Sequence, residues 1–212
     1  MIRHHLNEAL LMGYAAGVLP EAFSLIAATH VSLCDECRAR LAAYEAVGGA
    51  VLHDGMVPMD AGAEACLART VTARPKVGRR GPLPQPLAEY VGGDLSAVKW
   101  RPLGMGVRQA ILPTARSASA RLLFIPAGVA VPDHGHRGIE LTLVLQGAFR
   151  DSEDRFGVGD LEIADEDLQH IPVAEAAADC ICLAATDARL CCTKQLKARC
   201  PLSPDGLIPR LQ

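Results

Sequence analysis

Residues 128–147, GVAVPDHGHRGIELTLVLQG, constrain the fold more than any other stretch of this chain. They space His134, His136 and Glu140 as H-x-H-x3-E, with Gly128 ahead of the first histidine and Gly147 behind the glutamate. On an extended segment, residues two apart point to one face, so His134 and His136 aim into the same cavity. The alternation that follows, Ile139, Leu141, Leu143 and Leu145 against Glu140, Thr142 and Val144, predicts a returning strand that carries Glu140 to that cavity. Two imidazoles and a carboxylate suit Zn, Fe, Mn, Ni or Cu. His170, beyond a second turn at Gly159-Asp160, is available as a fourth ligand.

This pattern resembles the first motif of the cupin family at every defining position. The second cupin motif is half kept: Gly159 and His170 stand at the expected spacing, but Asp165, Asp167 and Ala174 replace the usual Pro, Gly and Asn. The resemblance implies a small β-barrel with a mononuclear metal, and the departures bear on the shape of its rim. The bland alternative is a barrel that keeps the fold without an ion, its histidines serving as core or surface residues.

With 212 residues the chain suits one large domain or two small ones. A formal net charge of −3 argues against a broad nucleic-acid surface, which needs clustered positive charge. The expected partner is a protein or a small molecule. The apolar character of residues 1–19 is interrupted by Asn7 and Glu8, and no stretch approaches the ~18 apolar residues of a membrane span. These features predict a cytoplasmic protein. In that compartment eight cysteines point to metal binding or redox chemistry rather than disulfides.

In chain order, Leu6, Leu10, Leu11, Tyr14 and Val18 form the stripe of an amphipathic helix over 6–18. Pro20 and Glu21 open a second helix that runs to about Leu33. A third is expected from about Asp35 to Val51, with Leu41, Tyr44 and Val47 inward and Arg38 and Arg40 outward. A short helix is expected at 61–73. The stretch RPKVGRRGPLPQP, residues 74–86, reads as a linker, because its prolines break helix and ladder alike. Beyond it the period becomes two. Strand candidates are 107–113, 119–125, 129–134, 139–150, 158–163 and 179–185, a pattern that indicates a sandwich or barrel. The end, from Cys191 to Gln212, resists assignment.

A second constellation lies in the helical part. His30, Cys34 and Cys37 form H-x3-C-x2-C at the junction of the second and third expected helices. His30 and Cys34, four apart, are expected on one helical face, with Cys37 reaching back from the next helix's first turn. Thiolate and imidazole at this spacing suit tetrahedral Zn2+, with His5, or its neighbour His4, as the fourth donor. A C-x2-C pair also occurs in thioredoxin-like redox motifs, but there it follows a strand in a βαβ unit, which this region lacks. The bland alternative is two buried cysteines and a surface histidine.

H-x3-C-x2-C in a short helical domain resembles the zinc-binding anti-sigma domains. Joined to a cupin, and with ATHVSLCDECRAR, RQAILPT, VPDHGHRGIELTLVLQGAFRD and DCICLAATDA, the chain resembles the ChrR-type anti-sigma factors over most of residues 3–187. The resemblance implies an α + β protein: a zinc-binding helical anti-sigma domain (1–74), a Pro/Arg-rich linker (75–86), a cupin β-barrel (87–190) and a tail (191–212). It implies that the helices hold an extracytoplasmic-function (ECF) sigma factor away from RNA polymerase. The cupin would sense singlet oxygen and related oxidants through a metal, zinc by the same resemblance, on His134, His136, Glu140 and His170. Cys180 and Cys182, two apart on an expected strand, are a candidate redox pair, though buried cysteines commonly act as small hydrophobes. Cys66, Cys191, Cys192 and Cys200 carry no such signal. The rival reading is a metal-dependent cupin enzyme, such as a dioxygenase, whose helical domain only dimerises it.

Overall fold

The computed structural model describes residues 1–55, 83–131, 134–135, 138–165, 169–187 and 191–192; of 134–135, 169–170 and 191–192 it describes the backbone alone. Among these residues four helices come first: α1 (Glu8–Ala15), α2 (Glu21–Leu33), α3 (Asp35–Asp54) and α4 (Gln85–Val91). Twelve strands follow: β1 (Arg101–Gly104), β2 (Val107–Leu112), β3 (Ser119–Ile125), β4 (His134–Gly135), β5 (Glu140–Gln146), β6 (Ala148–Arg150), β7 (Arg155–Gly157), β8 (Leu161–Ala164), β9 (Gln169–His170), β10 (Val173–Ala174), β11 (Cys180–Thr186) and β12 (Cys191–Cys192). The result is the α + β architecture expected.

Each helix end has a local cause. Asn7 caps α1 by accepting the Leu10 N–H at 2.9 Å. The helix ends at Ala15, short of the expected residue 18, and Val18 is exposed. Between α2 and α3 the chain breaks at Cys34, whose backbone is extended. Cys34 is therefore not on a helical face with His30; it is the N-cap of α3, its Sγ facing the Cys37 N–H at 3.4 Å. Helix α3 runs to Asp54, through Gly48-Gly49, but only Cys37 and Leu41 are buried along it. Val47, read as a core position, is 66% exposed, because nothing among the described residues packs against that half of the helix. The expected helix at 61–73 and residues 74–82 of the linker lie outside the described residues. The last linker residues, Gln85 and Pro86, already belong to α4, which accepts a proline in its first turn.

The strands form three antiparallel sheets, ordered β1-β2-β3-β11-β5-β8, β10-β6-β7 and β12-β4-β9. The expected strand 139–150 divides at Gly147, whose φ is +70° and where a Cβ would come within 2.5 Å of the Asp179 carbonyl oxygen. Among the described residues of 129–134, the strand pairing is an Ala130–Val173 bridge and the start of β4.

The six-stranded sheet is buried on both faces, and the alternation of β5 sorts them. Leu141 and Leu143 join Leu122, Leu161 and Leu183 on the face that α2 covers, in one cluster with Leu11, Ile26 and, from α4, Leu87. Val144 joins Ile125, Phe149, Phe156, Cys180 and Cys182 on the other face. Helices and sheet thus share a core. Polar contacts reinforce the join: Glu21, opening α2, accepts hydrogen bonds from Tyr90 Oη at 2.5 Å and from the Ala115 N–H at 2.6 Å.

Candidate metal centre

The first three helices bring His5, His30, Cys34 and Cys37 together. His30 lies in the last turn of α2, Cys34 is the break, Cys37 lies in the first turn of α3, and His5 precedes the cap of α1. Their ligand atoms all lie within 4.8 Å of one another. His30 Nε2 is 3.3 Å from Cys37 Sγ, and His5 Nδ1 is 3.3 Å from Cys34 Sγ and 3.6 Å from Cys37 Sγ. A tetrahedron with Zn–N and Zn–S arms of ~2.0–2.3 Å has edges of about 3.3–3.8 Å, so these spacings fit one four-coordinate ion. The set chooses His5 over His4: His4 Nε2 lies instead 2.9 Å from Asp154 Oδ2. Behind the ligands, the other nitrogen of His5 faces Glu36 Oε2 at 3.4 Å, the kind of carboxylate that orients a metal-bound imidazole.

Burial sets the electrostatics. His30, Cys34 and Cys37 are all buried. Removal from water pushes the pKa of His30 down to about 4, with the Gly159 backbone and the charge of Asp160 opposing and His5 assisting the fall. Burial pushes the Cys37 thiol up to about 11, against a backbone hydrogen bond from Leu6 and with the help of Cys34. His30 is thus neutral at ordinary pH and ready to donate a lone pair. Ionised Cys37 would be costly in this setting without a cation beside it. A soft N2S2 tetrahedron is what Zn2+ prefers, and it leaves no coordination position open.

The cupin-motif residues are described less fully. His134 and His170 are register partners across β4 and β9, so the backbone sets these two histidines opposite each other. The side chains of both, and His136 altogether, lie outside the described residues. Glu140 opens β5 and is buried, 3.4 Å from Thr142 Oγ1. Register places Arg121, Ala184, Thr142 and Glu162 in one row across β3, β11, β5 and β8, with Glu140 two residues from Thr142 along β5 and so on the same face. Arg121 and Glu162 are buried too. Burial lowers the Arg121 pKa, and the charge of Glu140 opposes that fall.

Cys180 and Cys182 sit side by side on β11, Sγ to Sγ 3.5 Å, both buried. The Cys182 thiol is pushed well up, first by its hydrogen bond with Cys180, then by burial and by the charges of Cys180, Glu162 and Glu140. Cys191 and Cys192 form β12 against Gly135 and His134. Cys66 and Cys200 lie outside the described residues. What sequence reasoning missed is the setting of Arg121, whose only signal was a lone basic residue inside an apolar, period-two run.

The profile of the family described as the ChrR cupin-like domain matches residues 89–189. The anti-sigma-E factor ChrR of Cereibacter sphaeroides is 61% identical over 195 residues, covering 89% of this chain and 92% of its own length. A crystal structure of Rhodobacter sphaeroides SigE in complex with the anti-sigma ChrR matches with a TM-score of 0.74 at 61% identity, over 88% of this chain and 99% of that one.

Proposed function

The chain belongs to the family of ChrR-like anti-sigma factors, and from that premise we propose that it sequesters an ECF sigma factor from RNA polymerase and releases it under singlet-oxygen-type stress. The observation that carries this reading is likeness along nearly the whole chain to a protein crystallised with a sigma factor. The family is one of regulators, not enzymes, and the dioxygenase alternative falls with that.

In this reading residues 1–74 hold the sigma factor, 75–86 join the halves, 87–190 sense, and 191–212 stand apart as a tail. The bared apolar residues Val47, Val51 and Leu52 on α3 support the first assignment, since a bound protein would cover them. The centre at His5, His30, Cys34 and Cys37 holds Zn2+ in a structural role, fixing α1 and α2, too short to be stable alone, against the first turn of α3. A second Zn2+ sits on His134, His136, Glu140 and His170. Its support is the register that sets His134 opposite His170 and the burial of Glu140 at the start of β5, a carboxylate costly to hold out of water unless a cation or hydrogen bonds offset it. Cys180 and Cys182 are close enough for redox chemistry, but their burial and the raised Cys182 pKa keep that thiol protonated and unreactive. The place of action is the cytoplasm, without direct nucleic-acid or membrane contact; among the described residues no helix is long and apolar enough to cross a membrane.

The test is co-expression of the full chain with an ECF sigma factor encoded beside it. The two should purify as a zinc-containing complex that is inactive with RNA polymerase. A Glu140→Ala chain should still bind, yet leave a sigma-dependent promoter silent under singlet oxygen. Failure to co-purify would overturn the anti-sigma assignment, and normal induction by a Glu140→Ala chain lacking cupin metal would remove the sensor.

A further inference from the structure

Glu36 faces the His5 ring, but the zinc reading leaves open what holds the backbone that carries it. This ligand stands ahead of the Asn7 cap, on a strap of residues 2–5 that belongs to no helix. Three main-chain groups of the strap bind the cupin half. The N–H groups of Arg3 and His4 donate to Asp160 Oδ1 at 2.6 and 3.0 Å, and the His4 carbonyl accepts the Leu161 N–H at 3.2 Å. The second carboxylate oxygen, Oδ2, accepts the Gly157 N–H at 2.8 Å. One side chain therefore both closes its own turn and grips the strap. Burial alone would raise the Asp160 pKa; the N–H donors of Arg3, Gly157 and His4 overcome it and hold the carboxylate ionised.

Packing follows the same line. The His4 ring lies 4.4 Å from Phe156, which stacks on Phe149 at 5.0 Å. Ile2 covers Gly159 so closely that a Cβ there would come within 2.5 Å of its Cδ1, at a backbone φ of +87°. The turn is in turn bonded to β5: Gly159 N–H donates to the Val144 carbonyl at 2.9 Å, and Val144 N–H to the Asp160 carbonyl at 3.1 Å. Strand β5 opens with Glu140, and β8, which leaves Asp160, pairs with it. Contiguous hydrogen bonds thus run from the strand bearing Glu140 to the residue beside His5, as a coupling route requires.

We infer that Asp160 is a positioning residue of the metal centre: it seats the Ile2–His5 strap on the turn between β7 and β8, so that the barrel, rather than the helical bundle, delivers the His5 ligand. The inference rests on the reading of His5, His30, Cys34 and Cys37 as a zinc site. Its consequence is that loosening this turn leaves zinc with three helical ligands and a fourth that comes and goes.

The experiment follows zinc transfer from the purified full chain to an excess of a chromophoric chelator. Asp160→Ala should speed release about tenfold or more, the usual scale for losing a group that orients a ligand. Asp160→Asn keeps one oxygen acceptor for the Arg3 and His4 N–H groups but turns its NH2 against the Gly157 N–H, so its release rate should fall between wild type and Asp160→Ala. Arg3→Pro deletes one of those donors, together with the guanidinium's bond to the Arg155 carbonyl and its ion pair with Asp154, while leaving every barrel residue as it is. It should speed release in the same direction, and it decides the matter if Asp160→Ala does not fold. Wild-type rates in both Asp160→Ala and Arg3→Pro would overturn the inference while leaving the zinc site standing. Equal acceleration in Asp160→Ala and Asp160→Asn would reduce Asp160 to a residue of the barrel's own turn and overturn it as well. A wild-type chain with no zinc that Cys34→Ala removes would overturn the zinc reading and this inference together.

Discussion

The two sets of ligand-type residues contrast in what surrounds them. The helical set is closed: two thiols and two imidazoles at tetrahedral spacing, three of them buried, with the Glu36 carboxylate facing the far nitrogen of the fourth. The acid of the cupin set is shared: Glu140 lies in a buried polar region with Arg121 and Glu162, and the guanidinium is already under its influence. A closed set fixes a shape, because removing any donor strands the others out of water. A shared acid has a second electrostatic partner within the protein, and so has an alternative when its first partner changes. The difference suits the first set to holding helices and the second to responding.

The sharpest way to break that contrast is to remove a donor from the closed set. Cys34→Ala or His30→Ala should strip the helical ion and weaken sigma binding by about a hundredfold or more, because metal binding in such a site is folding free energy. Zinc content and the fraction of sigma factor co-purified report it. Tight binding by a zinc-free variant would show that the helices hold their shape unaided.

Next in size is a change confined to the barrel. Gly147→Ala puts a Cβ at φ +70° and within 2.5 Å of the Asp179 carbonyl oxygen, where backbone cannot yield cheaply. A loss of about 2–4 kcal/mol is expected from strain and overpacking together. Because helices and sheet share a core, one cooperative thermal transition should move down as a whole. Two separate transitions, with only the later part shifted, would show that the shared face does not couple the halves.

How much of this was legible in the sequence depends on distance along the chain. His30, Cys34 and Cys37 lie within eight residues of one another, so spacing alone announced them. The choice of His5 over His4 was not readable, because it depends on Asp154 and Asp160, some 150 residues away, taking His4. Strands β3, β5 and β11 were visible through apolar runs, whereas β9, β10 and β12, of two residues each, are too short to show a period. Cys34 illustrates a limit of helical-face reasoning. The i, i+4 relation to His30 holds only within one helix, and the extended backbone at Cys34 ends it there, turning the residue into a cap. Arg121 reads as an intruder in the run around it until register sets it in the row that ends at Glu162.

Acidification sharpens the contrast further. Without metal, burial keeps the Cys37 thiol protonated up to about 11, so binding an ion expels a proton. His30, at about 4, is already neutral above that pH and expels none. Zinc affinity at the helical site should therefore fall by about tenfold for each unit of pH lost, from Cys37 alone. The cupin quartet contains no thiol, and a metal there should show no such slope above the ordinary range of histidine. Competition titrations across pH on chains lacking one set or the other separate the two. A flat profile at the helical site would remove Cys37 from its ligands.

The smallest effect belongs to the far half of α3, beyond both the His/Cys cluster and the core. Beyond Tyr44, which is half-buried against the core, the helix buries nothing among the described residues, and Val47, Val51 and Leu52 are bare, so its order there rests on local propensity. Gly48 is inside that half, and a Cβ on it would meet nothing within 4 Å. Gly48→Ala should therefore stabilise the segment by about 0.5–1 kcal/mol, the propensity difference in a helix interior. Since the segment opens without the rest of the protein, the gain should appear as amide exchange slowed about two- to fivefold across its last turns, with the global melting temperature almost unmoved. If the same substitution raised the melting temperature by several degrees, this half of α3 would be part of the cooperative core, and its bare apolar face would need a partner within the chain itself.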